Sequence, residues 1–208
     1  MYRQRKNKLR VTQSLLSDWM WSFKKDDGYE DVLRTLHREK KPSTFAMLEG
    51  IRYENCLNSI LNGEPLPMDH EWHDPLLEMA VELQGSQQQV TLFKDTMVGD
   101  QPILLHGVLD YLLCGHIYDC KYSPPYGTNK GHLNKYHWSN TPQTSMYLSL
   151  VPEALDFTYI ISDGMFVYRE RYPREIVPPI EPTIRDFLAF LQTNNLMKDF
   201  EQYWKVGG

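Results

Sequence analysis

The sequence has few cysteines, no long apolar run and no internal repeat or low-complexity tract. Three cysteines in 208 residues give no disulfide framework, which is typical of proteins from a reducing compartment. No apolar stretch approaches the roughly 20 residues that a transmembrane helix needs. The basic start of the chain also lacks the apolar segment of a secretory signal peptide. We therefore expect a cytoplasmic protein.

Acidic residues outnumber basic ones, and the formal net charge is −5. The charge is unevenly distributed, however. Residues 1–41 hold eleven of the 22 Lys and Arg and six of the 27 Asp and Glu, whereas residues 42–208 hold eleven and 21. A basic N-terminal arm, residues 1–11, would supply contacts to phosphate and leave the acidic remainder to attract cations. The alternative is a disordered, solvated arm.

A length of 208 residues, with 41% hydrophobic and 12% aromatic content, suits one compact domain, which we place at residues 12–208. Hydrophobic periodicity separates helices from strands along this domain. Their order allows an α/β fold, with a central mixed sheet flanked by helices. The predicted helices cover residues 12–23, 44–61, 75–84, 142–150 and 183–204, and the predicted strands cover residues 88–98, 103–113, 116–122, 155–162 and 166–172.

Two neighbouring predicted strands carry the most informative residues, a GxxD followed by a DxK. Gly107 and Asp110 lie on the first strand, and Asp119 and Lys121 lie on the second. Alternation along residues 116–122 directs Asp119 and Lys121 to one face. Two carboxylates on adjacent strands can share a hard divalent cation, and a lysine beside them can direct water toward a phosphate. The alternative is a buried ion pair without catalytic function.

With these residues the chain resembles the PD-(D/E)XK nuclease superfamily, in its RecB-type branch of phage and repair exonucleases. Three further segments carry the resemblance. Gly50 and Glu54 resemble the helix element that supplies a third metal ligand, and Gln143 and Tyr147 resemble the QxxxY element of the branch. The segment 11–19 resembles its opening helix. The alternatives are a surface charge for Glu54 and a polar helix edge for Gln143 and Tyr147.

The resemblance implies an α/β fold, in which a restriction-endonuclease-like core has a central mixed sheet flanked by helices, and it implies a metal site. Asp110, Asp119 and Glu54, with the main-chain carbonyl of Cys120, would bind one or two Mg²⁺ or Mn²⁺ ions. Lys121 would orient or deprotonate the attacking water. These residues would then act by charge stabilisation and positioning, without a covalent enzyme intermediate.

The cysteines argue against an iron–sulfur cluster, which some members of this branch carry. Cys56, Cys114 and Cys120 are too few for a site built from four cysteines. Alternation directs the side chain of Cys120 away from Asp119 and Lys121. We therefore interpret all three cysteines as small buried residues.

The resemblance implies a DNA nuclease, with an exonuclease of phage or mobile-element recombination or repair as the expected type. The host would be a bacterial or phage-infected cell, and a recombination protein is a possible partner. Lys130 and Lys135 lie in an aromatic and basic loop that would contact nucleic acid together with Gln143 and Tyr147. A surface loop without function is the alternative for that segment. The alternative function is a catalytically inactive module of the same fold that binds nucleic acid or protein.

Overall fold

The computed structural model describes residues 8–24, 26, 28–124 and 141–206. Every predicted helix and strand region is present in its predicted order, and further elements lie among them. The strands are β1 (Leu9–Thr12), β2 (Gln87–Val98), β3 (Gln101–Leu113), β4 (His116–Tyr122), β5 (Asp156–Ser162) and β6 (Val167–Pro173). The helices are α1 (Gln13–Ser22), α2 (Gly28–Leu36), α3 (Phe45–Leu61), α4 (His73–Leu83), α5 (Gln143–Leu150), α6 (Glu181–Thr193) and α7 (Met197–Trp204).

One mixed sheet contains all the strands that the structure describes. Strands β2, β3 and β4 form an antiparallel meander, whereas β5 pairs parallel to β4 and antiparallel to β6. A parallel pair needs a crossover connection, and α5 lies in the one between β4 and β5. This topology confirms the prediction of a mixed sheet flanked by helices.

Helices cover both faces of the sheet, so two apolar layers form. Neighbouring residues on β5 show the division, because Ile161 packs in the larger layer and Ile160 in the smaller one. Helices α1, α2, α5, α6 and α7 contribute to the larger layer, and α3 and α4 to the smaller one. Adjacent strand residues point to opposite faces, and both faces are covered, so β5 is buried along its whole length. Among the described helices, none combines the length and the apolar character that crossing a membrane requires.

The prediction of a separate basic arm up to residue 11 is wrong at its C-terminal end. Residues Leu9–Thr12 form β1, which pairs in parallel with Ile103–His106 of β3. Leu9 and Val11 are buried in the larger layer. Surrounding charges conceal this short alternation in the sequence, and its partner strand lies about ninety residues away. Residues 1–7 of the predicted arm lie outside the described residues.

The single helix predicted over residues 183–204 is also wrong, because two helices occupy that region. Helix α6 ends at Thr193 and α7 begins at Met197. Asn195 between them has a left-handed backbone, with φ of 56°, a conformation that asparagine adopts more readily than most residues. The turn folds α7 back so that Phe187 and Phe200 meet edge to face, with ring centroids 5.4 Å apart. Helix α2 was not predicted.

Arg174 holds the C-terminal end of α5, and its removal tests how much that contact stabilises the fold. Its guanidinium donates to the carbonyl oxygens of Leu148, Val151 and Ala154, at 3.0, 2.6 and 2.6 Å. We expect Arg174→Ala to lower the free energy of unfolding by about 2 kcal/mol, since hydrogen bonds from a charged donor are lost. Urea unfolding measures the change. Arg185→Ala, at an exposed position of α6, is the control, and equal effects of the two substitutions would contradict the role of Arg174.

Candidate functional site

The site lies where β3 and β4 separate. The pairing of these strands ends at Tyr111 and Tyr118, and beyond it the backbone N–H of Cys120 donates to Oδ2 of Asp110 at 3.3 Å. Leu109 packs in the larger layer whereas Tyr111 packs in the smaller one. Residues two apart on a regular strand share a face, so the strand alternation is broken at Asp110. The Asp110 carboxylate therefore takes the place of a backbone acceptor for the N–H of Cys120 at this point.

Asp119 is the most buried acid of the site, at 2% exposure. Its Oδ2 lies 2.5 Å from Nζ of Lys121, and its Oδ1 accepts a hydrogen bond from the side-chain amide of Gln143. The prediction that Asp119 and Lys121 share one face is therefore confirmed. A buried carboxylate needs charged or hydrogen-bonded partners, and these two side chains supply them.

Helix α5 positions the two residues of the predicted QxxxY element beside Asp119. Gln143 and Tyr147 are both buried, at 6% and 7% exposure, so neither lies on an exposed helix edge. The hydroxyl of Tyr159 donates to Oε1 of Gln143 at 3.3 Å, and it lies 3.2 Å from the hydroxyl of Thr141. The amide of Gln143 is thus held between Tyr159 and Asp119.

Gly107, the glycine of the GxxD, allows α5 to approach β3. A Cβ at this position would lie 2.7 Å from Cδ1 of Leu150 and 2.9 Å from Cε1 of Tyr147. Both distances are shorter than real Cβ contacts, so with a larger residue the Leu150 and Tyr147 side chains, or the helix that carries them, would have to shift. The spacing between Gly107 and Asp110 therefore links the packing of α5 to the position of the carboxylate.

Glu54 approaches the site from α3. Its Oε1 accepts a hydrogen bond from the side-chain amide of Gln89 at 2.8 Å. Partial burial raises the pKa of Glu54, and the charge of Asp119 raises it further, whereas Lys121 and Gln89 lower it. Glu54 therefore lies within the electrostatic field of Asp119 and Lys121, which a charge on the solvated side of a helix would not.

Burial and like charges make Asp110 unusually basic. Burial first, and then the charges of Asp119 and Glu54, raise the pKa of Asp110 to about 8, although Lys121 and the Cys120 N–H oppose the change. Burial lowers the pKa of Lys121, but the carboxylates of Asp119 and Asp110 outweigh burial and raise it overall. Lys121 is therefore a cation at neutral pH.

The prediction that all the cysteines are buried is wrong for Cys114, which is exposed in the turn after β3. Cys56 and Cys120 are partly buried. Cys120 packs against the smaller layer, on the face opposite to Asp119 and Lys121, as alternation predicts. Its backbone N–H, not its thiol, contacts the site. A role for its main-chain carbonyl stays a prediction.

Two residues that sequence reasoning missed complete the site. Tyr159 lies beside Asp119 in the parallel pairing of β4 and β5, and Gln89 contacts Glu54. Neither carries a motif, and each is recognisable only when the strand pairing is known. Lys130 and Lys135, predicted to contact nucleic acid, lie outside the described residues.

The donor set consists of carboxylates, which are the hard oxygen ligands that Mg²⁺ and Mn²⁺ prefer. Within residues 8–24, 26, 28–124 and 141–206, no three His, Cys, Asp or Glu side chains are already gathered as a metal cage. Each carboxylate instead has its own donor: Lys121 for Asp119, the Cys120 N–H for Asp110 and Gln89 for Glu54. The residue types fit such an ion.

Comparison with known proteins supports the fold. No protein-family profile and no curated protein matches the chain. The crystal structure of SSO0001 is similar, with a TM-score of 0.53, 16% sequence identity, and coverage of 89% of this chain and 78% of that chain. At this identity the likeness shows the α/β fold and assigns no activity.

Gly107→Ala tests the close approach of α5 to β3. We expect it to lower the free energy of unfolding by about 1–3 kcal/mol, because the new methyl group overlaps Leu150 and Tyr147. Gly50→Ala is the matched control, since a Cβ at Gly50 meets nothing within 4 Å. That substitution lies in α3 and should stabilise the protein by about 0.5–1 kcal/mol. A neutral effect of Gly107→Ala in thermal unfolding would contradict the packing argument.

Asp110→Asn tests the electrostatic cost of the carboxylate cluster. Because the pKa of Asp110 rises from 3.8 to about 8 on folding, the stability that the protonated acid contributes is present below pH 4 and is lost as the pH rises to 8. In EDTA at pH 8 we therefore expect Asp110→Asn to be more stable than the wild type, by on the order of 2 kcal/mol. The difference should shrink toward pH 4.

Chemical denaturation across this pH range measures the effect of Asp110→Asn. The asparagine oxygen can still accept the Cys120 N–H, so the substitution changes mainly the charge. Asp100→Asn, in the exposed turn after β2, is the control and should show no such pH dependence. A variant at Asp110 that is less stable than the wild type at pH 8 would contradict the argument.

Proposed function

We propose that this protein is a metal-dependent nuclease that hydrolyses DNA phosphodiester bonds. We further propose that it has the restriction-endonuclease-like core of the PD-(D/E)XK superfamily and belongs to the RecB-type branch. The observation that carries the proposal is the coupling of Asp110, Asp119 and Glu54 around Lys121, at the point where β3 and β4 separate. Raised pKa values at two acids, Asp110 and Glu54, close to a buried aspartate and a lysine at a strand break favour a catalytic site.

Asp110, Asp119 and Glu54 would hold one or two Mg²⁺ or Mn²⁺ ions, with the main-chain carbonyl of Cys120 as a further ligand. When bound, such an ion lowers the pKa of water and neutralises charge that develops on the phosphoryl oxygens. The burial of Asp119 favours this role, since a buried carboxylate interacts strongly with a nearby cation.

Lys121 would orient the attacking water and stabilise negative charge on the phosphate. Its raised pKa keeps it protonated at neutral pH, so it can donate hydrogen bonds but cannot accept the proton of the water in that state. Its side chain retains 25% exposure. A shift of Asp119 toward a metal ion would release Lys121 for this role.

Gln143 would orient Asp119 rather than bind the ion, because its amide donates to one carboxylate oxygen and is itself held by Tyr159. Partners of this kind fix the direction of a metal ligand and tune its affinity. Tyr147 would hold α5 against Gly107. Contact of Lys130 and Lys135 with nucleic acid is part of the proposal, whereas the burial of Gln143 and Tyr147 favours these positioning roles over the predicted contact with nucleic acid.

DNA as the substrate follows from the resemblance, as does an exonuclease of phage or mobile-element recombination or repair. A recombination protein would be its partner. The alternative function is a catalytically inactive module of the same fold that binds nucleic acid or protein. The presence of all three carboxylates and of Lys121 favours the enzyme.

Lys121→Ala separates the enzyme from its alternatives. With Mn²⁺ or Mg²⁺, the wild type should degrade linear DNA, and Lys121→Ala should reduce the rate by about 10²–10⁴-fold while it still binds Mn²⁺. A gel assay with linear and circular, single-stranded and duplex DNA measures the activity, and calorimetry measures Mn²⁺ binding. Lys198→Ala, at an exposed position of α7, should retain full activity.

The outcomes of the Lys121→Ala experiment differ among the three readings. A structural ion pair predicts no hydrolysis and no Mn²⁺ binding by the wild type, together with a loss of several kcal/mol of stability in Lys121→Ala. An inactive module predicts DNA or protein binding without cleavage. Absence of hydrolysis by the wild type on every DNA and RNA form would reject the proposed enzyme.

A further inference from the structure

We propose that Gln89 is a positioning residue that holds the Glu54 carboxylate in the direction required for metal binding. The inference rests on the proposed metal site. Its first observation is the hydrogen bond from Nε2 of Gln89 to Oε1 of Glu54, at 2.8 Å. This bond joins β2 to α3 directly beside the acid, and a carboxylate held through one oxygen can still offer the other to a cation.

The backbone of Gln89 is the second observation. Its φ is 50°, in the left-handed region, although it lies inside β2. Glutamine in this region is uncommon, and such residues concentrate at functional sites, where the surrounding structure maintains them. Glycine would adopt this conformation without steric cost. A glutamine at this position therefore has a role for its side chain, because the backbone conformation alone would favour glycine.

The position of Gln89 in the sheet is the third observation. The pairing of β2 with β3 runs through Gln88 and Tyr111 and through Val90 and Leu109, but omits the step between them. In this register Gln89 lies opposite Asp110. The left-handed residue and the break in the alternation of β3 thus face each other across the two strands. The irregularity of the two strands therefore lies both at Asp110 and at the residue whose side chain donates to Glu54.

A simple stabilising role does not account for these features. Gln89 is exposed, so its amide has no need of a protein partner, and an exposed hydrogen bond contributes little to stability. Glu54 is also partly exposed and could be hydrated. What the bond supplies is orientation, because a glutamate side chain otherwise samples several rotamers. Orientation of a ligand before the ion arrives increases affinity.

The test compares Mn²⁺ affinity, measured by calorimetry without DNA, in the wild type and in Gln89→Gly. We expect Gln89→Gly to bind Mn²⁺ roughly 10-fold more weakly, as for loss of other partners that orient metal ligands. Its unfolding transition should not fall below that of the control, since glycine fits the left-handed backbone. The control is Gln87→Gly, the same substitution two residues earlier in the paired part of β2, and its affinity should stay within about twofold of the wild type.

A double-mutant cycle tests whether Gln89 acts through Glu54. In a Glu54→Gln background, the addition of Gln89→Gly should change Mn²⁺ affinity by less than about twofold. Hydrolysis of linear DNA by Gln89→Gly should approach the wild-type rate when Mn²⁺ is raised by about 10-fold, because the loss is in affinity. These readouts would not respond to a merely structural defect.

Two outcomes would overturn the inference and leave the proposed function intact. One is a wild type that binds Mn²⁺ and cleaves DNA while Gln89→Gly binds the ion equally well. The other is an equal loss of affinity from Gln89→Gly in the presence and absence of Glu54. A wild type that binds no Mn²⁺ would instead reject the proposed metal site, and this inference with it.

Discussion

The separation of β3 from β4 at Asp110 is the constraint on which the site depends. A regular ladder would pair the backbone groups of both strands and leave no room for a carboxylate between them. Here the ladder stops at Tyr111 and Tyr118, and Asp110 accepts the N–H of Cys120 instead. The Asp110 carboxylate thus lies between the two strands, and the backbone N–H of Cys120 still has an acceptor.

This arrangement has an electrostatic cost that local partners only partly offset. Asp110 and Glu54 both have raised pKa values, because burial and the charge of Asp119 disfavour their ionised forms. Lys121 compensates, but it is paired with Asp119. Structural ion pairs are rarely built with an excess of buried acids, since apolar packing is as stable and simpler. The excess of acids over basic partners is therefore the physical reason to expect a divalent cation, since a bound cation would favour their ionised forms.

The local parts of this structure are predictable from the sequence, and the nonlocal parts are not. Alternation alone directs Asp119 and Lys121 to one face, and helical spacing places Gln143 and Tyr147 on one side of α5. The β1 strand is hidden because four residues carry little periodicity, and its partner is remote in the chain. Gln89 and Tyr159 are missed for a related reason, since each meets the site only through the register of two strands.

Helix α5 shows how closely the site and the core are connected. The helix has eight residues; Gln143 at its first turn contacts Asp119, and Arg174 binds the carbonyls at its last turn. Between these ends, Tyr147 and Leu150 lie against Gly107. A short helix fixed at both ends cannot tilt without moving Gln143. The direction of the Asp119 carboxylate is therefore set by core packing, as precise positioning of a ligand requires.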